Sequence, residues 1–280
     1  MKPMIVLQTD FSETWGAVAS MKGVIKRVDR ELEIQDLCHN IKKFDPFEAS
    51  LSLARTVPYW PEGTVFVSVV DPGVGTERKA CLAKLKTGSY VITPDNGTLT
   101  HLKHDPGIHH VRELDPKLCR YPGNEEVSVF HGRDVFAYTA ALLASGIIPE
   151  ENLGKKYPVS EIVECEEYHR VPVFEKNRVK GILMTGLEHF GGVETNILNA
   201  DFEKAGFTEG NLCHVRIYHN DFPVFEKEVL YAKSFGFVKK GDPVLYKGSG
   251  KYISLDCNEG SFMKTYAVGF GIDWEVEIWK

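Results

Sequence analysis

The amino-acid sequence predicts an α/β fold, in which an N-terminal α/β domain with a mostly parallel central sheet precedes a smaller β domain. In the first half of the chain, continuous apolar runs alternate with helical patterns, which is typical of parallel strands buried on both faces. From about residue 178 the apolar runs are short and β-like, and turn residues separate them. These two observations carry the prediction.

The first half supplies five strands and three helices. The predicted strands are residues 4–9, 33–37, 64–70, 80–85 and 89–93. The predicted helices are residues 16–28, 45–57 and about 132–145. The second helix has the clearest start, because Asp45 is a favoured N-cap residue and Pro46 suits the first helical position.

The second half supplies β-like runs without a long helical pattern. The predicted strands are residues 179–187, 212–218, 242–247 and 252–257. The residues themselves leave open whether these strands form an antiparallel sheet or a barrel. The segment 150–177 is rich in Glu, Lys and Pro and predicts a linker, so we expect domains at 1–165 and 166–280.

Composition and charge exclude several classes of protein. The 280 residues carry a net charge of -6 without a basic block, which argues against a nucleic-acid partner. The six cysteines form no CxxC pair, which is typical of reduced thiols in a cytoplasmic protein. The apolar run before Asp10 is too short for a signal peptide or a membrane span, so no membrane partner is expected.

Polar residues follow three of the predicted strands. Asp10 follows the first strand, Asp71 follows the third, and Asp95 and Asn96 follow the fifth. Ligands of open parallel sheets bind outside the carboxyl ends of the strands, so these residues are candidates for a binding site. The alternative is that Asp, Asn, Pro and Gly only form turns here, and it is strongest for "PDNG".

Two further motifs carry chemistry-bearing residues. "VVDPGVGTER" places Asp71 and Arg78 around a glycine-rich turn, and "VFHGRDVF" places His131 and Asp134 near a helix start. Helix capping by Asp134, or a metal site on Asp71, His131 and Asp134, are the alternatives, although HxxD alone is a weak zinc signal. GxGxxG, GxxxxGK[ST] and GxSxG are absent, which argues against dinucleotide, P-loop and serine-esterase chemistry.

The motifs together resemble one family. "TDF", "MKGVI", "FDPFEA", "PEGTVFVSVVDPGVGTER", "PDNG" and "FHGRDVF" occur in order over residues 4–145, and "TNI" follows at 195–197. In this set the chain resembles the S-adenosyl-L-methionine hydroxide adenosyltransferases, the hydrolytic relatives of the fluorinase and chlorinase. Without that resemblance, "HFGGVETNI" at 189–197 indicates only a tight turn.

The resemblance implies a fold, an assembly and a reaction. It implies an α/β N-terminal domain, a C-terminal β-barrel, and a homotrimer whose sites lie between the N-terminal domain of one subunit and the C-terminal domain of the next. It implies hydrolysis of S-adenosylmethionine to adenosine and methionine, with no metal or other cofactor. A non-catalytic protein that binds adenosine or S-adenosylmethionine as a sensor is the alternative.

The resemblance also implies site residues. Asp71, Arg78 and His131 match the family's water-handling trio. The halogenating relatives lack this Asp and have a Ser in place of Gly132, so the chain matches the water-using branch. The implied substrate-binding residues are Asp10, Phe44, Phe130, Gly132, Asp95, Asn96, Glu188, Phe190, Ser249 and Asn258. Among these, Asp10 is expected to bind the ribose hydroxyls and Phe190 to stack on adenine.

Several positions depart from the family pattern. Ser12 stands where the family has a glycine after "TDF", and residues 15–19 differ from its usual motif. Glu188 replaces an Asp, and Gly192 replaces an Asn. Gly250 and Cys257 stand where the halogenating branch has arginines. The positions expected to contact the methionine end of the substrate therefore differ from the family pattern, whereas the trio around the water is complete.

Overall fold

The computed structural model describes residues 2–187 and 189–280, and the chain divides into two compact units, Met1–Cys165 and Glu166–Lys280. Each unit has a hydrophobic core of its own. Among the described residues, no helix combines the length and the apolar character that a membrane crossing requires.

The first unit contains seven strands among its described residues. They are β1 (Ile5–Thr9), β2 (Ile34–Cys38), β3 (Val65–Val69), β4 (Ala80–Leu85), β5 (Tyr90–Pro94), β6 (Ile108–Leu114) and β7 (Gly154–Tyr157). The α-helices are α1 (Ala17–Val28), α2 (Pro46–Thr56), α3 (Thr100–Leu102) and α4 (Tyr138–Ala144). Shorter helical turns are Val57–Tyr59, Lys103–Gly107, Gly132–Ala137, Glu150–Asn152 and Val159–Glu161, of which the second and third have π-helical hydrogen bonding.

The strands form one sheet in the order β2-β1-β3-β5-β4-β6-β7. Strands β2, β1, β3 and β5 run parallel to one another. Strands β4, β6 and β7 continue the sheet beyond β5 through antiparallel pairs. The predicted mostly parallel α/β fold is confirmed. Because β1, β3 and β5 are parallel neighbours, the residues that follow their carboxyl ends meet at one edge of the sheet.

Helices cover both faces of this sheet, as continuous apolar strands require. Ile5 of β1 packs with α1 on one face, where Met21 and Ile25 are fully buried. Val6 faces the other side and packs with Leu53 of α2. The predicted start of α2 is confirmed, since the Asp45 carboxylate accepts a hydrogen bond from the backbone N–H of Glu48 at 3.0 Å.

The second unit contains eight strands among its described residues. They are β8 (Val173–Glu175), β9 (Arg178–Leu187), β10 (Gly192–Leu198), β11 (Leu212–His219), β12 (Phe222–Tyr231), β13 (Pro243–Lys247), β14 (Tyr252–Cys257) and β15 (Trp274–Trp279). Two short helices, α5 (Asn199–Lys204) and α6 (Phe262–Tyr266), and two helical turns, Glu166–His169 and Phe235–Phe237, complete it.

Seven of these strands close into a barrel. The sheet order is β10-β14-β13-β12-β11-β15-β9-β8, and β10 also pairs with β9, which closes the ring. β8 pairs with β9 outside the ring. Closure leaves no unpaired strand edge within the ring and surrounds a core that includes the stacked rings of Phe202 and Phe207. The β-barrel that the family resemblance implies is confirmed.

Candidate active site

A cleft opens at the edge of the sheet where β1 and β3 end. It has a volume of about 370 Å³ and is lined by Asp10, Phe11, Ser12, Thr14, Trp15, Lys43, Phe44 and Asp71. Asp10 directly follows β1, and Asp71 lies two residues beyond β3. The prediction that these two carboxylates face one crevice is confirmed by their joint lining of the cleft.

Asp71 and Arg78 form a nearly buried ion pair. The Arg78 Nε donates to Asp71 Oδ1 at 2.9 Å, and its Nη2 donates to Asp71 Oδ2. Only 5% of the Asp71 side chain and 11% of the Arg78 side chain are exposed. A two-pronged guanidinium–carboxylate contact fixes both orientation and distance, so this pair is rigid. The ring of Phe136 also lies 5.3 Å from the Arg78 Cζ.

His131 joins this pair through Arg78. The Arg78 Nη2 lies 3.0 Å from the His131 Nδ1. A guanidinium has donors only, so Nδ1 accepts the hydrogen bond and the neutral ring carries its proton on Nε2. Burial, aided by the positive charges of Arg78 and Arg120, holds the pKa of His131 below its usual value, which favours this neutral form.

The glycine-rich turn packs the ion pair against the segment that precedes His131. A Cβ on Gly73 would lie 3.2 Å from the Arg78 Cγ, and one on Gly75 would lie 3.1 Å from the Ser128 carbonyl oxygen. Gly75 also has a φ of +79°, which side chains rarely tolerate. The turn therefore needs glycine for backbone conformation and for close packing between the two motifs.

Asp10 joins two segments of the cleft lining. Its Oδ2 accepts a hydrogen bond from the backbone N–H of Phe44 at 3.1 Å. Burial raises the pKa of Asp10, and the negative charge of Asp71 acts in the same direction, whereas the Phe44 N–H lowers it. Phe44 itself adopts a φ of +64°, and 69% of it is exposed. Left-handed backbone in a non-glycine residue is a conformation that surrounding contacts must enforce.

Ser12 explains one departure from the family pattern. Its φ is +60°, the left-handed conformation that glycine adopts without strain. The Ser12 Oγ accepts a hydrogen bond from the Thr14 N–H at 3.1 Å and lies 2.9 Å from the Thr14 Oγ1. The chain therefore keeps the conformation for which a glycine is suited and stabilises it with a local hydrogen-bonded turn.

Phe130 and Gly132 both pack against Phe11, which lines the cleft. The rings of Phe11 and Phe130 lie edge to face, 5.9 Å apart. A Cβ on Gly132 would lie 2.9 Å from the Phe11 Cε2 and 3.4 Å from the Val69 Cγ1. Gly132 thus lets the helical turn that follows His131 approach both β3 and the cleft wall.

Asp95 and Asn96 have internal partners. The Asp95 carboxylate accepts hydrogen bonds from the Tyr157 hydroxyl at 2.8 Å and from the Val163 N–H at 3.0 Å, and burial raises its pKa. The Asn96 Nδ2 donates to the Val70 carbonyl at 2.8 Å, directly before Asp71. This geometry gives both residues a supporting role, and their predicted contact with substrate stays a prediction.

Asp134 anchors the loop before His131. Its buried carboxylate accepts hydrogen bonds from Arg133 Nε at 2.7 Å, Arg133 Nη2 at 2.8 Å and Asn124 Nδ2 at 2.7 Å. Among the described residues, no group of three or more His, Cys, Asp or Glu side chains could hold a metal ion. The alternative metal site on Asp71, His131 and Asp134 also has the Arg78 guanidinium between its first two members.

In the barrel unit, Phe190 lies on a tight turn and Glu188 lies outside the described residues. Phe190 is 75% exposed, and its N–H donates to the Leu187 carbonyl at 2.9 Å. A Cβ on Gly192 would lie only 2.5 Å from Asp256 Oδ2, so the absent side chain allows close packing there. The predicted stacking of Phe190 on adenine stays a prediction.

Ser249 and Asn258 lie beyond opposite ends of β14. Ser249 is exposed in the turn before the strand, whereas Asn258 follows it and donates from Nδ2 to the Val238 carbonyl at 2.8 Å. Six strand residues span about 17 Å. The structure therefore does not bring these two residues together, and their binding roles stay predictions.

Sequence reasoning missed most of the cleft wall. Phe11, Ser12, Thr14, Trp15 and Lys43 line the cleft beside the predicted Asp10, Phe44 and Asp71. The signal was their position directly after Asp10 or directly before Phe44. Trp15 is held by a 2.9 Å hydrogen bond from its Nε1 to the Phe11 carbonyl.

Comparison with known proteins assigns the family. Residues 5–154 match the model of the SAM hydroxide adenosyltransferase N-terminal domain, and residues 187–275 match that of the C-terminal domain. The chain belongs to the SAM hydroxide adenosyltransferase family. Both matched regions carry residues described above, from the cleft of the first unit to the barrel of the second.

Relatives within this family have two kinds of name. A Thermus thermophilus protein named (R)-S-adenosyl-L-methionine hydrolase is 34% identical, over 93% of this chain and 94% of its own. A protein of Actinopolyspora mzabensis named fluorinase is 27% identical, over 98% and 97% of the two chains. A crystal structure of an uncharacterised Thermotoga maritima protein superposes with a TM-score of 0.87 at 33% identity, covering 99% of this chain and all of that one.

Proposed function

We propose that the chain hydrolyses S-adenosyl-L-methionine to adenosine and L-methionine by attack of water on the ribose 5′ carbon. The observation that carries this proposal is the contact of Asp71, Arg78 and His131 beside a strand-end cleft. The family assignment and the relative named as a hydrolase support it. A non-catalytic binder would not need an acid and an imidazole joined through one guanidinium beside the cleft.

The reaction removes charge. The water oxygen forms a bond to C5′ while the C5′–S bond breaks. The electron pair of the C5′–S bond passes to sulfur, and methionine leaves as a neutral thioether. The proton of the attacking water goes to a base. A cleft that excludes bulk water favours this step, because the cationic sulfonium loses its charge as the bond breaks.

Asp71 is the proposed acceptor for the water. Each of its oxygens takes one hydrogen bond from Arg78 and keeps a second acceptor position. A fixed carboxylate can therefore orient the water and receive its proton during attack. Holding the water in line with the departing sulfur supplies most of the expected rate gain.

His131 is the proposed donor to the same water. Since Nδ1 accepts from Arg78, the proton on Nε2 is the one that His131 can offer. The imidazole then orients a water lone pair toward C5′ while Asp71 accepts from the opposite side of the water molecule. This division assigns the base role to Asp71 and an orienting role to His131.

The remaining cleft residues are proposed to hold the nucleoside. Asp10 lines the cleft, and the Phe44 N–H holds its Oδ2, which suits a carboxylate that accepts from ribose hydroxyls. Phe44 and Phe11 line the cleft with apolar surface. We infer that Phe190, which is 75% exposed in the barrel unit, stacks on adenine bound in the cleft of a neighbouring subunit of the trimer.

The sulfonium sulfur is a stereocentre, because it bears three different carbon groups. The Thermus thermophilus relative is named for the (R) epimer. We infer that this chain also prefers the (R) epimer. Purified protein should convert the (R) epimer to adenosine and methionine, read by chromatography, faster than the (S) epimer and equally well with a chelator present.

The product pair also identifies the carbon that water attacks. Attack at C5′ gives adenosine and methionine, whereas attack at the methyl carbon gives methanol and S-adenosylhomocysteine. Absence of adenosine with both epimers would overturn the proposal. Binding by calorimetry without any product would instead support the sensor alternative, and loss of activity with a chelator would support a metal-dependent reaction.

We also propose an assembly and a location for the chain. We infer a homotrimer, supported by the exposed apolar rings of Trp15, Phe44 and Phe190. A light-scattering mass of one chain would contradict it. A cytoplasmic location is supported by the six free thiols.

A further inference from the structure

A row of a hydroxyl, an imidazole and a carboxylate lies directly behind Asp10. Thr9 and His39 are buried, whereas Asp36 ends the row at the surface with 36% of its side chain exposed. The Thr9 Oγ1 lies 3.0 Å from the His39 Nδ1, and the His39 Nε2 lies 2.9 Å from the Asp36 Oδ1. Lys22 closes the row, since its Nζ lies 2.5 Å from the Asp36 Oδ2. Burial acts to raise the pKa of Asp36, but hydrogen bonds from Lys22 and His39 outweigh it and lower that pKa.

The order of atoms resembles that of a serine-hydrolase triad, but the hydroxyl cannot act as a nucleophile. Thr9 is 0% exposed, and 2% of the His39 side chain is exposed. The Thr9 Oγ1 also accepts a hydrogen bond from the Phe11 N–H at 3.1 Å. No substrate can reach this oxygen, so the row must act through the backbone that it holds.

That backbone leads to every residue of the cleft lining except Asp71. The Ser12 N–H donates to the His39 carbonyl at 2.8 Å, and the Ile41 N–H donates to the Thr9 carbonyl at 3.4 Å. The segment after Thr9 carries Asp10, and the segment after His39 leads to Phe44. His39 therefore joins the two segments through its ring and through its carbonyl.

We propose that His39 is a positioning residue that sets the direction of the Asp10 carboxylate and, through it, the affinity for the nucleoside hydroxyls. Asp36 acts one step further away, by accepting from His39 Nε2 and fixing the ring. This inference rests on the proposed function, in which Asp10 accepts from the ribose. It adds a requirement that lies wholly outside the cleft lining.

Calorimetry with adenosine and 2′,3′-dideoxyadenosine tests the inference without turnover. The affinity ratio of the two nucleosides measures the Asp10 contact, and Asp10→Ala should bring that ratio close to one. His39→Asn should reduce the ratio about tenfold. In the Asp10→Ala background, the same His39 change should leave the ratio unaltered.

A purely structural role for His39 would weaken both nucleosides equally and leave the ratio as in the unmodified chain, which would overturn the inference. If Asp10→Ala itself keeps the ratio, the proposed ribose contact fails instead. Absence of hydrolysis by the unmodified chain, together with an intact nucleoside ratio, would count against the proposed reaction alone. The failures of the two proposals are therefore distinguishable.

Substitutions at Asp36 keep the test available if His39→Asn does not fold. Asp36→Asn retains an oxygen that accepts from His39 Nε2 and should keep most of the ratio, whereas Asp36→Ala should lower it. Asp29→Ala is the matched control, because Asp29 pairs with Lys2 at the same 2.5 Å without touching a histidine. An Asp36→Ala ratio equal to that of Asp29→Ala would contradict the inference.

Discussion

The Nη2 of Arg78 lies 3.0 Å from the Nδ1 of His131, while the same nitrogen donates to Asp71. One guanidinium thus orders both neighbours, holding the carboxylate as an acceptor and the imidazole as an Nε2–H donor. An imidazole alone could serve as base or as donor. Its contact with Arg78 selects the second role.

Two substitutions of His131 separate these roles. His131→Gln can place an amide N–H near the original Nε2, whereas His131→Asn reaches only the Nδ1 position. We expect kcat to fall by about 10²-fold or more in the Asn variant and clearly less in the Gln variant. Steady-state kinetics checks this, and equal losses in the two variants would argue against the donor role.

Acid pH should inactivate the enzyme through His131. Its pKa lies below the usual 6.5, so the ring is neutral at higher pH and gains a proton only as the pH falls below that value. A protonated Nδ1 would face the Arg78 N–H and break the contact. The unfolded chain takes up this proton at a higher pH, so the free energy of unfolding also declines on acidification.

The measurement is a pH profile of kcat combined with denaturation curves at each pH. The rate should be level near neutrality and decline below pH 6.5, before the fold is lost. His131→Gln should lack this part of the decline. A rate that increases on acidification would mean that imidazolium, not imidazole, is the active form.

Asp71→Asn should remove the proton acceptor while keeping the shape of the side chain. We expect kcat to fall by about 10²–10⁴-fold, the usual contribution of a positioned general base. Asp10 and the aromatic cleft wall are unchanged, so the adenosine Kd should stay within a few-fold. Asp29→Asn, at an exposed ion pair, is the control. Turnover near that of the control would exclude Asp71 as the base.

Gly132→Ser tests the packing between His131 and the cleft wall. The new Cβ would lie 2.9 Å from the Phe11 ring, so the free energy of unfolding should fall by about 1–3 kcal/mol and Phe11 should shift. Gly23→Ser in α1 has no heavy atom within 4 Å of its new Cβ and should be neutral or slightly stabilising. Denaturant titration compares the two, and equal effects would contradict the close approach.

Local patterns predicted the parts of the fold that depend on neighbouring residues. Apolar runs that alternate with helical patterns located β1, β2 and β3. Asp45 and Pro46 marked the start of α2. Strand-end position brought Asp10 and Asp71 to one cleft. The antiparallel return of β4 beside β5 was not foreseen, because a run such as "ACLAKL" fixes a strand but not its direction.

The contacts that define the chemistry were beyond local patterns. Arg78 and His131 are 53 residues apart, and only the folded turn around Gly75 brings their motifs together. His39 gave no signal, because a histidine after a strand is unremarkable until its ring is found between Thr9 and Asp36. Ser249 and Asn258 are close in sequence, yet β14 lies between them.

The central claim is that water attacks C5′, and hydrolysis in heavy-oxygen water tests it most directly. Mass spectrometry of the products from (R)-S-adenosyl-L-methionine should find the label in the 5′ hydroxyl of adenosine and none in methionine. Adenosine that forms without label, or label that appears only in another product, would contradict the proposed reaction.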